Sequence, residues 1–190
     1  MRVDNDAAPA LPGKLDAAEL FRAHAPFVAR FLIRMGIRHE DAPDLVQQVF
    51  LVAHEHGGYQ PGPAAPTTWL AAIAFRLGMS ARRAFRKRAR EFDDAVLATV
   101  PAGAESPFER VAAVQALCRV QHALETLDLE HRATFILFEL QGESCQAIAH
   151  AFSVPVGTVY SRLSHARRLF RKAYERSAAT PRAERHREAP

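Results

Sequence analysis

Apolar residues near the C-terminal end of the chain follow a helical period that is interrupted once. They first recur with the spacing of one helix face at Cys145, Ile148, Ala149 and Phe152. Ser144 is a good N-cap for this short helix. Pro155 ends it, because proline disfavours helical geometry in the preceding residue and suits the first turn of a new helix. The pattern predicts a short helix, a tight turn and a second helix.

The second helix has two different faces. Its apolar face is formed by Val156, Val159, Leu163, Ala166 and Phe170. Its polar face carries hydroxyl and cationic groups: Thr158, Ser161, His165, Arg168 and Lys172, with Arg162 at the border. A short helix, a turn and a longer helix of this kind form a helix-turn-helix, which places the second helix in the DNA major groove. The pattern also fits a solvated amphipathic helix of a bundle, but Pro155 and Gly157 make a tight start that allows close approach to another surface.

The N-terminal half predicts helices as well. Asp16 and Glu19 form a capping signal before a helix that ends at Gly36. A second helix is predicted over residues 41–56, because acidic groups and a proline open it and glycines follow it. Its outer face carries Asp44, Gln47, Gln48, Leu51 and Glu55. This strip has little basic charge and some apolar surface, which favours a protein partner over DNA.

A third helix, predicted to be capped by Thr67 or Thr68, carries the strongest charge signal. Residues 76–90 contain seven basic residues and no acid. Helical surfaces normally mix charges of both signs, so this run favours a polyanion over a merely solvated face. Trp69, Phe75 and Phe85 lie before or among the cations, as in proteins that stack single-stranded bases, although a core position is the preferred interpretation for Trp69.

These patterns predict an all-α protein of two small helical domains joined by a flexible linker, the C-terminal one a helix-turn-helix. Periodicity is missing at both ends and between 91 and 106, where acids, alanines and prolines are frequent. The second domain begins with a capping signal around Pro107. The predicted segments are a disordered tail 1–14, a first domain 15–90, a linker 91–106, a second domain 107–176 and a disordered tail 177–190.

Composition narrows the possible functions. The chain has 190 residues, 48% hydrophobic content and a net charge of +4, which is enough apolar material for two cores. Cys118 and Cys145 lack metal-ligand spacing and are predicted to be small buried side chains. There is no membrane-spanning run and no signal-peptide pattern, so a cytoplasmic protein is expected. Since no His, Asp or Ser cluster has triad or ligand spacing, we expect no catalytic residue, metal or cofactor.

Three stretches resemble successive signatures of one family. They read DAPDLVQQVFLVAHEH (41–56), TWLAAIAFRLGMSARR (68–83) and ALETLDLEHRATFILFELQGESCQAIAHAFSVPVGTVYSRLSHARRLFRKA (123–173). The chain resembles an extracytoplasmic-function sigma factor, group four of the sigma-70 family. The resemblance covers residues 15–90 as sigma region 2 and residues 108–176 as sigma region 4.

The resemblance implies a division of roles. Core RNA polymerase would be bound, at the clamp helices of its largest subunit, by Asp44, Gln47, Gln48, Leu51 and Glu55. The −10 element of promoter DNA would be contacted by Trp69, Arg76, Ser80, Arg83, Arg86, Lys87 and Arg88. The −35 element would be read by Thr158, Ser161, Arg162, His165, Arg168 and Lys172, with Arg162 mainly at a phosphate and Arg168 nearer the groove. An anti-sigma protein is a further partner that the resemblance allows.

The chain departs from the family pattern at a few positions: Gln48, His54, Phe75, Arg76, Ser80 and Ser153. These bear on base preference and promoter melting. Two alternatives to an active sigma factor are a stand-alone helix-turn-helix regulator and a sigma-fold protein that has lost promoter opening. Binding to core polymerase distinguishes the first, and run-off transcription distinguishes the second.

Overall fold

The structure is a computed structural model that describes residues 13–88 and 107–179. Most of the predicted tails and the whole predicted linker lie outside the described residues. Within the described residues the regular elements are helices, and one isolated bridge pairs Leu15 with Tyr59. The α-helices are α1 (Ala17–Arg34), α2 (Ala42–Glu55), α3 (Pro66–Arg88), α4 (Pro107–Glu125), α5 (Leu129–Phe135), α6 (Cys145–Phe152) and α7 (Val156–Ala179). This confirms the all-α prediction.

The first three helices pack against one another around an apolar core. The predicted capping box opens α1, since Asp16 Oδ1 accepts from the Glu19 N–H at 2.8 Å and Glu19 Oε2 accepts from the Asp16 N–H at 2.9 Å. The chain before α1 is tied to the loop after α2, because Leu15 and Tyr59 exchange backbone hydrogen bonds of 3.1 and 2.8 Å. Fully buried side chains such as Leu20, Val49 and Leu70 fill the space between these helices.

The start of α3 differs from the prediction. The helix begins at Pro66, and the Trp69 N–H donates to Ala65 O at 3.0 Å, so neither Thr67 nor Thr68 is its cap. Proline is pre-organised for the first helical turn, and this preference outweighs the capping ability of the threonines. Thr68 is instead buried, and Thr67 Oγ1 donates to Glu143 Oε1 at 3.1 Å.

Helices α4 to α7 form the second group. Asp128 caps α5 by accepting from the His131 N–H at 3.0 Å. Ser144 caps α6, as predicted, by accepting from the Ala147 N–H at 3.1 Å. Helix α5 does not continue as a regular α-helix beyond Phe135. It continues as a π-helical segment, Ile136–Leu140, and the chain then turns at Gly142, whose φ is 71°.

The two groups are in direct contact. Arg132 of α5 is only 1% exposed, and its Nη1 donates to Met35 O at the end of α1, at 3.1 Å. Its Nη2 donates to Leu127 O, also at 3.1 Å. The rings of Phe75 on α3 and Phe152 on α6 lie 5.2 Å apart, centre to centre. The core is therefore continuous between the two groups, and the sequence patterns gave no indication of this contact.

Burial was predicted for Val156, Cys118 and Cys145, and the structure confirms it only for Cys145. Val156 is 40% exposed, because burial along α7 begins only at Val159. Cys118 is exposed and Cys145 is buried, and burial raises the pKa of the Cys145 thiol.

Among the described helices, none combines the length and the apolarity needed to cross a bilayer.

The turn between α6 and α7 contains a strained residue. Ser153 has φ 54° and ψ 46°, the left-handed conformation that glycine adopts at helix ends. The Val154 N–H donates to Ala149 O at 3.0 Å and closes the end of α6. The serine therefore carries the steric cost of a side chain at a position that suits glycine.

We expect Ser153→Gly to raise the free energy of unfolding by about 0.5–1 kcal/mol, because relief of left-handed strain outweighs the greater entropy of glycine in the unfolded chain. The measurement is urea denaturation followed by circular dichroism. The matched control is Gly142→Ala, where φ is 71° and an added Cβ meets nothing within 4 Å, so only the backbone cost is added and stability should fall. Equal stability of wild type and Ser153→Gly would show that the turn carries no such strain.

Candidate functional surfaces

The polar strip predicted on α2 forms one wall of a shallow groove. Asp44, Gln47, Gln48 and Leu51 all line it, and its volume is about 580 Å³. Glu55 is exposed on the same helix but does not line the groove. The helical spacing of the strip therefore brings four of the five predicted side chains to one site.

The groove also contains an aromatic side chain that the sequence did not single out. Phe21 of α1 lines it, is 46% exposed, and meets the ring of Phe50 edge-on at 5.0 Å. Leu51 on the opposite wall is 58% exposed. Phe21 belongs to a different helix, so only the packing of α1 on α2 reveals that it shares this surface. The groove thus joins apolar side chains to an acid and two amides.

The candidate −10 side chains on α3 lie in different environments. Trp69 is partly buried, and its ring meets those of Tyr59 and His56 edge-on at 6.0 and 6.5 Å. Arg76 is exposed, and Ser80 Oγ donates to the carbonyl of Arg76 at 3.2 Å. Trp69 therefore packs within the fold while presenting part of its surface.

The basic run continues along the same helix as far as the structure describes it. The backbone of α3 reaches Arg88, which places the basic residues up to that position on one continuous helix. For four of the residues predicted to contact DNA, the structure describes the backbone but not the side chain: Arg83, Arg86, Lys87 and Arg88. Their role in DNA binding therefore stays a prediction based on charge.

The cations of α7 fall into two sets. The first set is paired within the protein: Arg162 is half-buried and forms an ion pair with Glu130 of α5. Arg167 pairs with Glu139 at 2.5 Å and its guanidinium lies 5.0 Å from the centre of the Phe138 ring. These two arginines hold α7 against α5 and the π-helical segment that follows it. Charge alone did not indicate this role, because each acid lies about thirty residues earlier in the chain.

The second set lies on the exposed side of α7. Arg168 and Lys172 are exposed, as is Ser161, whose hydroxyl donates to Thr158 O at 2.9 Å. Arg168 Nη2 lies 3.0 Å from His165 Nδ1, and since arginine only donates, this histidine nitrogen is the acceptor. Thr158 is half-buried at the edge of this face. The structure therefore brings Ser161, His165, Arg168 and Lys172 together and leaves Arg162 to one side.

His165 on α7 packs against a second histidine, His131 of α5. The rings of His131 and His165 lie 4.8 Å apart, and Asp128 Oδ1 lies 2.6 Å from His131 Nδ1. Burial alone raises the pKa of the Asp128 carboxyl, but the hydrogen bonds from the His131 N–H and ring outweigh this and lower it. The cap of α5 thus also fixes the side chain against which His165 packs.

On α7, two exposed apolar residues were not among the sequence-predicted site residues. Val156 is 40% exposed and Tyr160, one turn later, is 52% exposed. The helical spacing of Tyr160 puts it next to Val156 and Gly157, so the helical period of the sequence could have indicated this apolar patch. In the described residues no group of three or more His, Cys, Asp or Glu side chains is arranged to hold a metal ion.

Comparison with known families agrees with both halves of the chain. The family model described as Sigma-70 region 2 matches residues 20–91, and the model described as Sigma-70, region 4 matches residues 119–170. The ECF RNA polymerase sigma factor SigM of Mycobacterium tuberculosis is 33% identical over 149 residues, which cover 78% of this chain and 72% of SigM. The chain belongs to the extracytoplasmic-function sigma factors.

Other relatives agree with this assignment. SigL of Mycobacterium tuberculosis is 30% identical over 165 residues, covering 85% of this chain and 90% of SigL. The fold is similar to that of sigma factor RpoE in its complex with the anti-sigma factor NepR from Bartonella quintana, with a TM-score of 0.61 and 24% identity over 82% of this chain and 94% of RpoE. It is also similar to CnrH in complex with the cytosolic domain of CnrY, with a TM-score of 0.55 and 21% identity over 86% and 89% of the two chains.

The protein is therefore an RNA polymerase sigma factor that directs transcription initiation at promoter DNA. The predicted family and function are confirmed. The similarity spans both helical groups, so the alternative of a stand-alone helix-turn-helix regulator is set aside. Sigma factors as a class are DNA-binding initiation factors and in general not enzymes.

Proposed function

We propose that the groove between α1 and α2 is the surface that binds the clamp helices of the largest subunit of core RNA polymerase. The observation that carries this proposal is the pair of exposed apolar side chains on its two walls, Phe21 and Leu51. A contiguous exposed apolar patch rimmed by polar groups is typical of a protein interface. Asp44, Gln47 and Gln48 supply that rim, and Glu55 extends it along α2.

Promoter DNA is assigned to the other two surfaces. The exposed side of α7 is the recognition surface for the −35 element, and α3 with its basic run is the surface for the −10 element. The exposed cations Arg168 and Lys172 support the first assignment, because cations that are not neutralised by a neighbouring acid attract phosphates most strongly. The seven basic residues between 76 and 90 support the second.

Two further assignments follow from the family. We place the protein in the cytoplasm, because a bacterial sigma factor works on chromosomal DNA together with the polymerase. An anti-sigma protein is a partner that the solved complexes of RpoE with NepR and of CnrH with CnrY favour for this chain.

One observation favours a second candidate function, that of a sigma-fold protein that does not open promoters. Phe75 stands at a departure from the family pattern, and its ring packs on Phe152 of α6 at 5.2 Å. A side chain in this contact is not presented to DNA. Run-off transcription with core polymerase on a selected promoter library decides between the two functions, since only an initiating sigma factor gives full-length transcripts from duplex templates.

We expect Asp44→Ala combined with Gln47→Ala to weaken binding to core polymerase about fivefold, or about 1 kcal/mol in total, because the two truncations remove one charge and one amide from the polar rim of the groove. The measurement is a fluorescence titration of labelled full-length protein with core enzyme. Because both residues are exposed, circular dichroism should show an unchanged fold.

The matched control for this titration is Gln115→Ala combined with Glu175→Ala. It removes an exposed amide and an exposed acid that do not line the groove. Equal affinities of the groove variant and the control would remove the assignment of this surface.

We expect Arg168→Ala to weaken −35 binding by the holoenzyme more than Arg162→Ala does. The guanidinium of Arg162 is half-buried and already paired with Glu130, whereas that of Arg168 is exposed beside His165. The measurement is binding to the −35 duplex and to each of its single-base variants. A base contact gives a loss of about 1–3 kcal/mol at one base pair, and a phosphate contact gives a similar loss for all sequences.

A second readout separates the two arginines. Arg162→Ala should lower the thermal stability of the protein, because Glu130 loses its partner between α5 and α7, and Arg168→Ala should leave it unchanged. The reverse order of DNA affinities would assign Arg162 to the interface in place of Arg168.

A further inference from the structure

The start of the recognition helix exposes apolar surface where the rest of its outer face is polar. Val156 and Tyr160 are separated by one helical turn, so their side chains are neighbours on the surface of α7. Both are substantially exposed, at 40% and 52%. Gly157 lies between them in sequence, and a Cβ built on it meets nothing within 4 Å. Nothing in the described part of the chain therefore covers this corner of the helix.

The same corner has no cation available to read a base. In the first two turns of α7, from Val156 to Arg162, the only cation is Arg162, and its guanidinium is engaged by Glu130. The N-terminal residues of a recognition helix are the ones that meet base edges. The common arginine–guanine contact is therefore not offered by the part of α7 that enters the groove first.

The surroundings identify the occupant of this apolar corner as duplex DNA. The exposed cations Arg168, Arg171 and Lys172 follow on the same helix, and its only acid up to Ala179 is Glu175. Such a surface is complementary to phosphates that flank a groove. In the major groove, the C5-methyl of thymine is the apolar group on a base edge.

We infer that Val156 and Tyr160 form an apolar reading surface that contacts thymine methyl groups in the −35 element. This inference rests on the proposed role of α7 in −35 recognition and adds the chemistry by which the first turns of the helix select a base.

The test replaces thymine by deoxyuridine, which removes the methyl group and keeps base pairing. The probe is holoenzyme, assembled from the full chain and core polymerase, on a promoter selected from a randomised library. Each thymine of the −35 element is replaced singly, on either strand, and the equilibrium binding of the promoter is measured. We expect a loss of about fourfold at one or two positions, the size associated with one buried methyl group.

Variants of Tyr160 then test whether this side chain is the one that contacts the thymine methyl group. Tyr160→Ala should weaken binding to the thymine promoter and make deoxyuridine at the sensitive position silent, because contacting groups are not additive. Tyr160→Phe keeps the ring and should retain the methyl sensitivity. The matched control is Leu140→Ala, which removes another exposed apolar side chain, 41% exposed, from outside α7. It should leave the deoxyuridine effect unchanged.

The outcomes separate this inference from the function on which it rests. Holoenzyme that transcribes but is indifferent to every deoxyuridine overturns the apolar reading and leaves the −35 assignment intact. So does a selected −35 element without thymine, or a methyl effect of unchanged size in Tyr160→Ala. A sigma factor that assembles with core enzyme but shows no dependence on the −35 sequence refutes both.

Discussion

A buried cation ties the two helical groups together at the end of α1. The guanidinium of Arg132 is almost fully enclosed and donates to two backbone carbonyls, those of Met35 after α1 and Leu127 after α4. Carbonyls at helix ends lack helical partners and carry the negative end of the helix dipole, so a cation is favourable there. A buried carbonyl left without its donor costs about 1–3 kcal/mol. Arg132 thus joins the end of α1 to α5 and to the loop that precedes α5, within the group that contains α7.

This contact explains why the sequence predicts the helices well and their mutual packing poorly. Capping boxes, prolines and helix-terminal glycines act within a few residues, so the bounds of α1, α2 and α6 follow from local chemistry. Arg132 follows no such local rule, because arginine is rarely buried and its partner Met35 lies 97 residues away. The π-helical segment Ile136–Leu140 was missed for a similar reason, since it continues an apolar helix whose pattern reads as regular.

The candidate site shows the same division between local and long-range information. The polar strip of α2 was predictable, because its residues recur with the helical period on one face of a single helix. Phe21 was not, because it reaches the groove from α1. On α7, sequence identifies the cations but not their partners. Glu130 and Glu139 neutralise Arg162 and Arg167, and only the tertiary structure distinguishes these from the exposed cations.

The distribution of charge on α7 separates affinity from selectivity. Phosphate contacts supply attraction that is independent of sequence, and they are available from the exposed cations in the later turns of the helix. Selectivity requires contact with base edges, and the earlier turns, which would come nearest to them in the proposed −35 complex, present hydroxyl and apolar groups. The ion pair between Arg162 and Glu130 removes a cation that would otherwise attract phosphates at those turns. An intramolecular contact that stabilises the packing of α7 therefore also determines which chemistry its first turns offer to DNA.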